Sequence, residues 1–140
     1  MPARADDTLL TVLGGLPRVP AGLDPARLFT SAERHGLAGV VFDAWREQGE
    51  ALPGDLARDL EARAAARELD HAAHLALLQR IDEAFDREGL SAAVLKGPLF
   101  AERYYPHPAA RATSDLDLLV TEADLDRALG ALAPVGYVAA

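Results

Sequence analysis

Residues 55–88 contain neither glycine nor proline and are rich in Ala, Leu, Arg and Glu. These are strong helix formers, so the stretch predicts one long helix. Leu56, Leu60 and Ala64, then Leu77, Leu78, Ile81, Ala84 and Phe85, make an apolar stripe along it. Asp59 with Arg63 and Glu83 with Arg87 stand at i,i+4, acid first, the more favourable order. The stripe thins between Arg63 and Asp70, which leaves room for a break or kink. Gly89 closes the helix.

The chain before this helix is also helical in pattern. Residues 9–16 read as a short apolar helix, followed by a loop with Pro17, Pro20 and Gly22. Asp24 caps a helix that has Pro25 at its first position and stops at Gly36. Leu37, Val40, Val41, Ala44 and Trp45 form a second helical face, and Phe42 and Trp45 are expected to pack these helices together. After Gly89 the pattern changes. Residues 91–96 and 116–120 read as strands, 98–105 and 121–133 as helices, and Pro106 and Pro108 mark a loop. Tyr137 and Val138 look like the opening of a third strand. The expected fold class is α+β with an α/β-like core: a helical region at 1–88, then a β-α-β-α unit with a third-strand stub at 89–140. Sheets are usually wider, so the expectation is the front part of a longer protein.

Composition removes several function classes. The absence of cysteine excludes a disulfide framework, a thiolate zinc site and a thiol nucleophile. A net charge of -8 with no Lys/Arg-rich run speaks against a broad basic face for nucleic acid. No apolar run reaches the ~18 residues of a membrane span. Asp6 and Asp7 stand where a signal peptide would carry basic residues. A cytoplasmic location with no membrane partner is the expectation.

Asp115-Leu116-Asp117 is the most informative triplet for chemistry. On a strand, residues i and i+2 face one side, so two carboxylates converge while Leu116 points the other way. Such a pair suits a hard cation, since Mg²⁺ takes one or two protein carboxylates and completes its shell with phosphate and water. A solvated strand edge or a turn after Ser114 is the other reading. Upstream, Lys96-Gly97 ends the first strand and Pro98 starts a helix. A glycine there lets backbone approach a phosphate, and Lys96 adds a point charge. A phosphate cradle and a metal-binding pair on adjacent strands are the two parts that nucleotidyl transfer needs.

The block at 95–120, LKGPLFAERYYPHPAARATSDLDLLV, resembles the signature of an uncharacterised bacterial nucleotidyltransferase family within the DNA polymerase β-like superfamily. The resemblance implies that Gly97 is the turn glycine and that Asp115 and Asp117 bind metal. It implies transfer of a nucleoside monophosphate from a nucleoside triphosphate to an unknown hydroxyl, with two Mg²⁺ ions as cofactors. Pro98 stands where the wider superfamily has serine, so phosphate grip falls to Lys96 and the amides of Leu99 and Phe100. The superfamily's third acid, on a later strand, has no counterpart here, since Asp124 and Asp126 fall on the helix after Asp117. The active site is therefore expected to be incomplete in this chain.

Arg111 has two readings, a phosphate contact or an ion pair that steadies an aspartate. Ser114 is a phosphate-site candidate by resemblance and a turn or cap residue by position. His71 and His74 read as a solvated helix face, and His107 as a loop residue. Of Tyr104 and Tyr105, one is expected in the core and the other is open to stack on a base. The alternative to an enzyme is a non-catalytic nucleotide- or protein-binding module of the same fold, with a protein partner.

Overall fold

The computed structural model describes residues 22–49, 51–105 and 107–137; the short helix expected at 9–16 lies outside them. Asp24 opens the first helix, α1 (Pro25–Arg34), by accepting a hydrogen bond from the Ala26 amide at 3.0 Å, with proline at the start where its missing N–H costs nothing. The second helix, α2 (Ala38–Glu47), follows after a tight turn. The two bury Leu28, Phe29, Ala32, Val41, Phe42 and Trp45, with Phe29 edge-on to Phe42 at 6.4 Å.

The long helix α3 (Gly54–Arg87) runs unbroken for 34 residues, about 50 Å at 1.5 Å per residue. It spans two separate cores. Its first turns add Leu60, flanked by Leu56 and Ala64, to the α1–α2 cluster. Its last turns put Ile81 and Phe85 into a second cluster with Leu90 and Ala128. The thinned stretch between them is not a break. There the helix meets its neighbours through polar groups: Arg67 Nε donates to the Ala109 carbonyl at 3.1 Å, and His71 pairs with Glu102. Gly89 ends α3 at φ 61°, so the Gly89 amide reaches the Asp86 carbonyl and the Leu90 amide reaches that of Phe85. Leu90 then packs on Phe85 in the second core.

Past this cap lie β1 (Ala93–Val94), α4 (Pro98–Tyr104), a 3₁₀ turn at Pro108–Ala110, β2 (Leu118–Leu119) and α5 (Leu125–Leu132). The strands pair antiparallel, Ala93 with Leu119 and Val94 with Leu118, and the Leu95 amide extends the ladder to the Asp117 carbonyl at 3.0 Å. The regular ladder is thus shorter than the apolar runs that predict it. The chain is mostly helical with this small sheet, an α+β fold. Tyr137 does not open a strand: its amide donates to the Leu132 carbonyl at 3.2 Å and so finishes α5, while Val138 lies outside the described residues. Among the described residues no helix is long and apolar enough to cross a membrane.

Candidate active site

Side-chain alternation sets the acidic pair. Leu116, Leu118 and Val120 pack on the second core, so the intervening positions 115, 117 and 119 turn away from it. Leu119 is exposed, and both carboxylates reach solvent. Leu116 therefore anchors the segment, and the two aspartates share the other side.

Gly97 brings the strand end and the acidic segment together. Its φ of 89° and ψ of -146° lie where side chains other than glycine are strained. An added Cβ would touch Leu116 Cδ2 at 3.4 Å and the Asp115 carbonyl oxygen at 3.5 Å. Buried Pro98 then starts α4, and the Gly97 carbonyl accepts from the Ala101 amide at 3.2 Å. This turn aims Lys96 at the acids. Its Nζ lies 2.9 Å from Asp117 Oδ2 and donates a 3.4 Å hydrogen bond to Asp115 Oδ2. The closer contact is one of charge, not an aligned hydrogen bond: Asp117 Oδ2 is buried and has no hydrogen-bond partner among the described residues. Ser114 Oγ donates to Asp115 Oδ1 at 3.3 Å.

The structure therefore gathers Lys96, Gly97, Ser114, Asp115 and Asp117 at one place. Arg111 stands apart, with its guanidinium 5.5 Å over the Phe100 ring and no carboxylate paired with it among the described residues. Of the two tyrosines, Tyr104 is exposed and lies on Phe100 at 4.4 Å, and Tyr105 is half-buried. Two oxygen donors, one of them a buried oxygen without a hydrogen bond, fit a hard divalent cation. The ammonium between them shows that the pair attracts a cation. No third acid joins them: among the described residues no group of three or more His, Asp or Glu is placed to hold a metal. Asp124 is occupied elsewhere, accepting from Thr121 Oγ1 at 2.8 Å and from Arg127 at 2.9 Å.

Four features escape the sequence reading. His71 is not on a solvated face: its side chain is only 12% exposed, and Nε2 donates to Glu102 Oε1 at 2.8 Å, tying α3 to α4. His71 Nδ1 and Thr113 Oγ1 are buried without hydrogen-bond partners among the described residues, and both residues line a cavity of ≈ 40 Å³ with Arg111. On α2, burial pushes the Asp43 carboxyl above the ordinary range, and the charges of His107, Arg46 and Arg67 only partly offset it. A larger open cleft of ≈ 380 Å³ lies between Gly39, Arg63, Arg67 and Ala110, away from the acidic pair. Its arginines are already engaged, Arg63 with Glu33 and Asp59 and Arg67 with Ala109. One signal in the sequence does single out Lys96: it is the chain's sole lysine among fourteen Lys and Arg residues.

A family model described as an uncharacterised nucleotidyltransferase matches residues 21–140, across the helical region and the small sheet alike. No curated protein and no solved structure matches the chain.

Proposed function

Because the chain belongs to the uncharacterised nucleotidyltransferase family, we propose that it transfers a nucleoside monophosphate from a nucleoside triphosphate to a hydroxyl acceptor. The acceptor oxygen forms a bond to the α-phosphorus, the bond from that phosphorus to the bridging oxygen of the β-phosphate breaks, and pyrophosphate leaves. The acceptor proton passes to solvent. Asp115 and Asp117 hold Mg²⁺, which when bound stabilises negative charge on the attacking and leaving oxygens. Lys96 offers its ammonium to the triphosphate, and the Gly97 turn lets the chain approach it closely. Ser114 steadies Asp115 through its hydroxyl. Arg111, stacked on Phe100, orients that aromatic surface beside the turn. Residues 1–88 serve as the support and 89–140 as the catalytic portion.

The observation that carries this reading is the meeting of two carboxylates and one ammonium beside a glycine-only turn. Pyrophosphate release from each of the four nucleoside triphosphates, with Mg²⁺ and a panel of hydroxyl acceptors, tests it. Asp115→Asn and Asp117→Asn should each lower the rate by about two orders of magnitude or more while leaving the fold intact. Turnover unchanged in both variants removes the assignment. The lack of a third gathered acid among the described residues favours a second reading, a module that binds nucleotide without turning it over. Metal-dependent nucleotide binding with no pyrophosphate release in any condition would select it.

A further inference from the structure

Every other Lys or Arg salt bridge among the described residues is made by arginine: Arg58 with Asp55, Arg63 with Glu33 and Asp59, and Arg127 with Asp124. The acidic pair alone is met by lysine, and by the chain's sole lysine. The chemical difference matters. A guanidinium is a planar fork that locks onto carboxylates through paired hydrogen bonds, whereas an ammonium is a compact charge on a flexible stem. Lys96 is held loosely, by one 3.4 Å hydrogen bond to Asp115 and a 2.9 Å charge contact with Asp117 that lacks hydrogen-bond alignment. Its side chain is 49% exposed, so it can leave without disturbing a core.

Two carboxylates on one side of the segment that leads into β2 repel each other unless a cation lies between them. Lys96 supplies that charge through the Oδ2 atom of each acid. A divalent cation ligated by the same oxygens would sit about 2.1 Å from them and would repel the ammonium strongly. Both cations cannot be held there together. We propose that Lys96 is an exchangeable stand-in for the metal, keeping the aspartates converged while the site waits and yielding its place when the divalent cation arrives. This rests on the metal-binding reading of Asp115 and Asp117. The displaced ammonium stays tethered next to the Gly97 turn, where the triphosphate is expected. Metal entry thereby frees the cation that the nucleotide needs. Metal and nucleotide then strengthen each other's binding, and reciprocally.

A protein with one lysine makes the exchange directly visible. Lysine labelled with ¹³C and ¹⁵N gives a single ε-methylene carbon signal, that of Lys96. Stepwise addition of Mg²⁺ to the 140-residue chain should move the Lys96 ε-methylene signal saturably toward the position of free lysine. Mn²⁺ binding, read by electron paramagnetic resonance without nucleotide, should be about three- to tenfold tighter in Lys96→Met than in the natural chain, the scale of two half-exposed charge contacts. It should be lost in Asp115→Asn with Asp117→Asn. A Lys96 signal that stays in place at Mg²⁺ concentrations that displace Mn²⁺ from the aspartates overturns the exchange and leaves the proposed function standing. Absence of Mn²⁺ binding that depends on the two aspartates overturns both. The signal of the natural chain reports the exchange even if Lys96→Met folds poorly, and Lys96→Gln repeats the affinity comparison.

Discussion

Replacing Gly39 by alanine sets two known effects against each other. Gly39 lies in the first turn of α2, where alanine is favoured over glycine by up to about 1 kcal/mol. Yet α2 approaches the Pro108–Ala110 turn backbone to backbone. A Cβ on residue 39 would lie 2.2 Å from the Ala110 carbonyl oxygen, 2.7 Å from its Cα and 2.8 Å from its carbonyl carbon. Relief requires α2 or the turn to retreat by about 1 Å, and neither is a side chain that can simply rotate. Overpacking a well-filled site costs about 1–3 kcal/mol, and a clash with backbone falls at the upper end. The net expectation is a loss of about 2 kcal/mol, or about 6 °C in Tm for a chain of this size. Urea unfolding followed by circular dichroism measures it. Gly130→Ala is the control: Gly130 lies within α5 and an added Cβ meets nothing within 4 Å, so this variant should gain about 0.5–1 kcal/mol. If Gly39→Ala proves as stable as the natural chain, the close approach of α2 to Ala110 is refuted. The contact matters beyond stability, because Ala110 begins the segment that leads through Thr113 to Asp115.

Gly97→Ala should cost about 1–3 kcal/mol, since its φ of 89° strains any side chain, and it should weaken nucleotide binding along with stability; an unaltered denaturation midpoint would refute this. Thr113→Val removes a buried hydroxyl that has no hydrogen-bond partner among the described residues, so stability should hold or rise by up to about 1 kcal/mol, and a clear loss in urea unfolding would show that the hydroxyl is bonded. Asp43 gives a pH signature. Its folded carboxyl titrates above the unfolded one, so the native state keeps the proton more tightly, and its contribution to stability falls as pH rises from about 4 through the raised folded value. Stability of the natural chain relative to Asp43→Asn should therefore be greatest at low pH, decline across that window and level off above it; a relative stability that climbs with pH would contradict the burial argument.

The helices were legible because their signals are local. Asp24 with Pro25 starts α1, the Gly- and Pro-free stretch makes α3, and Gly89 ends it through bonds that reach only a few residues back. The placement of Asp115 and Asp117 was legible for the same reason: alternation alone sends Leu116 inward and the acids outward. Tertiary structure decided what depends on distant partners. Lys96 meets acids 19 and 21 positions on, while His71 meets Glu102 and Arg67 meets Ala109 across more than 30 positions. These polar contacts hold α3 where its apolar stripe thins, a point at which periodicity alone permitted a break and the helix runs on unbroken. Gly39 gives no hint in its own turn that Ala110 lies against it. Local preference chooses helix or strand from a few neighbours, but which side chain meets which is set when two hydrophobic cores close along one helix. That closure places a lysine on two aspartates.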